Sequence, residues 1–213
     1  KQIADADPRK SPNVAVIDCA QGGQAMAEWV DPEAQPWQVA MERLAAANVS
    51  PAQVQVIWVK LANKNPSGDL AEHGQKLKDD TAKLLQNAKT RFPNLQIAYL
   101  GSRIYAGYSG GPLNPEPYAY ESAFVVRWLI QDQISGEKGG VRAGDAGLPL
   151  LLWGPYFWAD GMTPRKGDGL FYTREDLAGE GTHPSESGRQ KVAEQLLKFF
   201  TTDPLASTWF VGK

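Results

Sequence analysis

The chain of 213 residues has one cysteine, Cys19, and two histidines, His73 and His183. A lone cysteine closes no internal disulfide, so cysteine usage leaves the redox compartment open. With apolar Val16-Ile17 before it, Ala20 after it and no histidine close in sequence, Cys19 reads as a buried strand-end thiol rather than a nucleophile. No histidine pair, cysteine pair or regular Asp ladder is present, so no metal site is expected. Basic excess is also missing: Lys plus Arg is 22 against 24 Asp plus Glu, a net charge of −2. Such a chain is a poor nucleic-acid binder. No apolar run approaches the roughly 18 residues that suggest a membrane span. The longest, Pro149 to Trp153, has the length of a buried strand. With 42% hydrophobic and 22% charged residues, disordered and low-complexity classes are excluded. What remains is one globular domain over 1–213. The first residue is Lys1, so a processed or truncated product is expected, without a readable signal peptide.

Four short apolar runs alternate with longer segments of helical periodicity. The runs are Asn13–Ile17, Val54–Val59, Leu95–Leu100 and Leu148–Trp153. Their continuous character fits parallel strands covered on both faces. Helices are predicted from Pro36 to Asn48, Gly68 to Phe92 and Tyr120 to Ile134. The last begins at Pro184 and buries Val192, Leu196, Leu197 and Phe200. This alternation predicts an α/β sandwich with a mostly parallel sheet. Gly136 to Gly147 reads as a Gly-rich loop and the most mobile segment.

In such sheets ligands sit beyond the carboxyl ends of the strands, which directs attention to the residues that follow each run. His183 lies in Gly179-Glu180-Gly181-Thr182-His183-Pro184, a tight turn ahead of a helix. It is either a capping residue or a general base, and Glu180 is spaced to fold back and orient its ring. Gly22 and Gly23 form either an ordinary strand-to-helix turn or a pair of backbone donors for an oxyanion. Trp153, Tyr156 and their aromatic neighbours line a pocket or fill the core. Arg103 and Tyr105 are either surface residues or substrate contacts. His73, among Glu72, Gln75 and Lys76, is expected in solvent, as is the Asp79-Asp80 pair.

The run Glu180 to Ser185, with Gly188-Arg189 and an amphipathic helix after it, resembles the final block of SGNH (GDSL-type) hydrolases, whose His is the general base. Ala20 to Gln24 resembles the second block, whose Gly donates to the oxyanion. Val54 to Asn63 lies where the third block would be. Ser102-Arg103-Ile104-Tyr105, Asn114 to Glu121 and Trp153-Gly154-Pro155-Tyr156 are similar to an uncharacterised bacterial SGNH-like subgroup. The likeness spans nearly the whole chain, and block order carries it more than any single motif.

The resemblance implies a three-layer, flavodoxin-like α/β/α sandwich with strand order 2-1-3-4-5. It assigns His183 and Glu180 to catalysis, Gly23, Gly22 and Asn63 to the oxyanion, and Arg103, Tyr105, Trp153 and Tyr156 to substrate. Three departures matter. The family's Asp is Glu180. The third block's Gly-x-Asn-Asp is missing, with Lys60, Asn63 or Asn65 as substitutes. The first block, with its Ser on the central strand, is missing too, and none of the ten serines sits on such a turn near the start.

The four runs correspond to strands 2 to 5, and the central first strand is expected from an upstream segment. The implied function is a Ser-His-acid ester hydrolase for an acylated carbohydrate or other small ester, secreted or periplasmic. It needs no cofactor, and its own cleaved N-terminal segment is its expected partner. The rival expectation is an inactive scaffold that binds a carbohydrate or a protein.

Overall fold

A computed structural model describes residues 1–136 and 148–212. In chain order the elements are α1 (Gln2–Ala6), α2 (Gln35–Ala46), β1 (Val56–Lys60), α3 (Leu70–Arg91), β2 (Ile97–Gly101), α4 (Tyr118–Ser135), β3 (Leu150–Trp153), α5 (Glu186–Thr202) and α6 (Ser207–Phe210). The strands form an open sheet in the order β1-β2-β3. Both pairings are parallel, with Val56 opposite Ile97 and Ile97 opposite Leu150. The protein is therefore an α/β fold with a small parallel sheet. The Gly-rich loop expected at Gly136–Gly147 lies, apart from Gly136, outside the described residues.

The helices form where the sequence supplies both an apolar stripe and a stop. The side chain of Asp69 accepts from the Glu72 N–H at the start of α3, and Lys89 and Arg91 occupy its last turn. Its Leu77, Leu84, Leu85 and Ala88 join Val125, Val126 and Leu129 of α4 over one face of the sheet. Ile57 and Val59 of β1 point into that core, while Trp58 points to the opposite face. There it meets Ile104, Phe157 and Tyr172, with Val192 and Leu196 of α5. Among the described residues no helix is long and apolar enough to cross a membrane.

The central strand β2 is sealed, with Ala98, Tyr99 and Leu100 at most 1% exposed. β1 is different. Among the described residues it pairs on one side only, and Val56 to Val59 are half-buried. Ile97 N donates to Gln55 O, and Leu61 N donates to Gly101 O. Odd-numbered residues of β1 therefore turn their backbone groups toward β2, and Val56, Trp58 and Lys60 turn theirs to the open edge.

Five expectations are corrected. Asn13–Ile17 is not a strand; among the described residues no backbone hydrogen bond pairs it with any strand, and extended chain without a ladder is not sheet. Ile17 nevertheless packs against the core under α3 and α4. Cys19 is accordingly at no strand end and is half-buried, its thiol pushed up by burial. His73 is 7% exposed, its Nε2 2.6 Å from Glu121 Oε2. Asp80 is 6% exposed and accepts from Asn63 and Lys76. The last helix starts at Glu186, capped by the Ser185 hydroxyl, and its Val192, Leu196, Leu197 and Phe200 are only half-buried.

Candidate active site at the carboxyl end of the sheet

His183 and Glu180 meet as their spacing suggests. Glu180 Oε1 lies 2.6 Å from His183 Nδ1 and also accepts from the His183 backbone N–H at 2.8 Å. That backbone bond, with help from the imidazole, lowers the Glu180 carboxyl below its ordinary value. An Nδ1–H held against a carboxylate leaves the Nε2 lone pair free, the arrangement a general base needs. Nε2 has no hydrogen-bond partner among the described residues. Both side chains are solvent-accessible, at 62% for His183 and 44% for Glu180.

Local backbone builds this turn. Gly181 has φ +76°, and a Cβ there would fall 2.0 Å from Tyr108 O, so only glycine fits. Gly181 N donates to Ala178 O, and Ala178 N donates to His183 O. Thr182, fully buried, places its hydroxyl 2.9 Å from Ser109 Oγ and 3.1 Å from Leu113 O. The His183 turn is thus clasped to the loop after β2.

Arg103 supports the same clasp from beneath. It is 8% exposed, and Nη2 donates to Thr182 O at 3.3 Å, while Nε has no partner among the described residues. Burial pushes its guanidinium down to about 10. Lys60, at the end of β1, is open to solvent yet surrounded by protein; that enclosure, followed by the Arg103 charge, pushes its ammonium down to about 7. Neither cation forms an ion pair among the described residues.

Asn63 is buried and occupied. Its Oδ1 accepts from Ala27 N at 2.9 Å, its Nδ2 donates to Asp80 at 2.7 Å, and its carbonyl accepts from Asn114 Nδ2 at 3.0 Å. Asn65 is exposed. Gly22 and Gly23 are exposed with free space above them, and Gly23 has φ +74°. Their turn is anchored to the end of β1 through Met26 N, which donates to Ala62 O at 2.8 Å. A hydrogen-bonded network therefore joins the loops bearing Gly23, Asn63, Arg103 and His183 at one end of the sheet.

The aromatic candidates disperse. Trp153 is 41% exposed, and Tyr156 has the Arg165 guanidinium 5.4 Å over its ring. Tyr105 lines an open cleft of about 360 Å³ with Tyr120, Trp158, Glu116 and Asp160. Glu116, which the sequence reading did not single out, organises this cleft: one oxygen accepts from Ala106 N and Trp158 Nε1, the other from Tyr120 N. No signal in the sequence marks that role, since Trp158 lies 42 residues from it. Among the described residues no cluster of His, Cys, Asp and Glu is placed to hold a metal ion. No family model, curated protein or solved structure matches this chain.

Proposed function

We propose that this chain is the base-bearing portion of an SGNH-type ester hydrolase whose nucleophilic serine lies on a segment outside these residues. The observation that carries the reading is the His183 Nδ1–Glu180 pair with an unpartnered, solvent-facing Nε2. In this reading β1, β2 and β3 are the third to fifth strands of a three-layer sandwich. Nε2 takes the proton of the serine hydroxyl as its oxygen attacks the acyl carbon, then returns it to the departing alkoxide. Water hydrolyses the acyl-serine by the same relay. Gly22 and Gly23 N–H groups receive the oxyanion, and Glu180 stabilises the imidazolium. The substrate is an acylated carbohydrate or other small ester; the ring-lined cleft of Tyr105, Tyr120 and Trp158 suits a sugar face.

The test is made on the native full-length protein with 4-nitrophenyl acetate and a fluorophosphonate probe. His183→Ala should lower turnover by about 10²-fold or more and abolish serine labelling. A native protein that neither turns over ester nor labels would leave the second reading, an inactive scaffold that binds a carbohydrate or protein. The engagement of Asn63 with Ala27 and Asp80 favours that alternative, because it leaves little of the amide for an oxyanion.

A further inference from the structure

The cleft beside Glu116 combines aromatic walls with negative charge. Trp158 is its centre, with the Tyr120 ring 4.7 Å away and the Tyr105 ring 6.2 Å away, inclined by 58° and 61°. Rings inclined in this way wall a space instead of covering one another face to face. Gly107 makes room for the tyrosine, since a Cβ there would fall 2.0 Å from the Tyr105 hydroxyl. The cleft's volume, about 360 Å³, falls within the range of small-molecule sites.

The carboxylates of Glu116 and Asp160 line the same space. N–H donors from Ala106, Tyr120 and Trp158 hold Glu116 in one orientation. Of the roughly four lone-pair positions of a carboxylate this leaves one. Asp160 is exposed and forms no ion pair among the described residues. Burial, then Tyr108, Asp160 and Glu116, push the Tyr105 hydroxyl up, so it stays protonated between two negative groups.

The neighbouring cations leave this charge standing. Arg103 is buried and lines no part of the cleft; burial lowers its guanidinium, and the Glu116 carboxylate counters that effect. Arg165 lies over Tyr156 and donates to the Trp158 carbonyl, but Asp168 neutralises it. Setting Arg103 against Glu116 still leaves Asp160 unbalanced.

We propose that this cleft binds an organic ammonium group, carried by a choline-type head or an amino sugar, against Trp158, Tyr105 and Tyr120, with Asp160 and Glu116 as counter-charges. Ring faces attract such a cation, and its apolar substituents find shelter on the same surface. A metal ion asks for a shell of oxygens instead, which these walls do not offer. Tyr105 belongs to the loop whose Ser109 contacts the Thr182 hydroxyl, so the bound cation shares a loop with the His183 turn. As a substrate site the cleft rests on the proposed hydrolase; as a cation site it rests on rings and charge alone.

The test is an NMR titration of the native full-length protein that follows the Trp158 indole N–H, a signal identified by its loss in Trp158→Phe. The probes are choline, its uncharged tert-butyl analogue, glucosamine and glucose. At least one ammonium probe should bind about tenfold or more tightly than its neutral counterpart. Choline alone would mark a quaternary head as the ligand, and glucosamine alone an amino sugar. Asp160→Asn, at an exposed position, should weaken the cation by about threefold and leave the neutral probes unchanged. Tyr120→Leu should weaken it by about fivefold. Equal binding of charged and neutral probes would overturn the proposal, because the cleft would then be an apolar pocket or a plain sugar platform. So would a Trp158 signal that no probe moves, or cation binding untouched by both variants. No ester enters these titrations, so a protein that binds the cation without cleaving ester loses the hydrolase reading and keeps this one.

Discussion

Asn63 and Asp80 bind the end of β1 to the middle of α3 through one hydrogen bond, Nδ2 to Oδ2 at 2.7 Å, between side chains 17 residues apart. The same amide accepts from Ala27 N, so a single buried side chain holds the Gly22–Gly23 turn, the sheet and a helix in register. That makes Asn63 a structural pin, whatever else its remaining N–H does.

Asn63→Ala should destabilise the fold by about 2 kcal/mol, since it strands the Ala27 N–H and leaves buried Asp80 Oδ2 with Lys76 as its one donor. Urea unfolding measures this. A stability equal to the parent would mean that the amide serves only a ligand.

Gly181→Ala should cost about 2 kcal/mol or more, because φ +76° excludes an ordinary side chain and the new methyl meets Tyr108 O at 2.0 Å. The check is a thermal melt paired with the His183 imidazole NMR signals. Displaced His183 signals with the rest of the spectrum retained would locate the damage in the turn.

Acid should weaken the α5 attachment. Burial raises the Asp176 carboxyl, but hydrogen bonds from Lys191, Thr173 and Ser187 overcome this and hold it below its ordinary value of 3.8. A depressed carboxylate contributes stability that is present above 3.8 and lost as pH falls through its lower folded value. Asp176→Asn should therefore lose stability at neutral pH and show a flatter decline below pH about 4 than the parent. Parallel pH profiles for the two would exclude Asp176 as a source of the acid response.

Lys60 should be acylated ahead of the other lysines at pH near 7, because a larger share of its ammonium is deprotonated there. Limited labelling with an activated acetate ester, read by peptide mass spectrometry, ranks the sites. Arg103→Gln should slow labelling at Lys60 by removing the neighbouring positive charge. Labelling in proportion to exposure alone would refute the lowered value.

What was legible in the sequence was what is local or repeated. The long apolar stripes of α3 and α4 and the runs at β1, β2 and β3 declare themselves, because each element's own residues carry the period of its buried face. The His183–Glu180 pair is equally readable, as its three-residue spacing across Gly181 nearly dictates the contact. Asn13–Ile17 misleads because a strand is a property of pairing, and its composition says nothing about whether a ladder lies beside it. His73 and Asp80 look like surface residues since the partners that permit their burial, Glu121 and Asn63, lie 48 and 17 residues away. The cleft around Glu116 was hidden for the same reason: three donors from three segments converge on it only after folding.

The bare edge of β1 has a consequence for the handling of this polypeptide. Backbone donors without a ladder partner among the described residues, beside half-covered Ile57, Trp58 and Val59, form a template that recruits extended chain of similar character. With a net charge of only −2, colloidal repulsion does little to keep such templates apart. Precipitation rather than unfolding should then set the upper limit of concentration, with a shelf life governed by salt and temperature more than by the strength of the core.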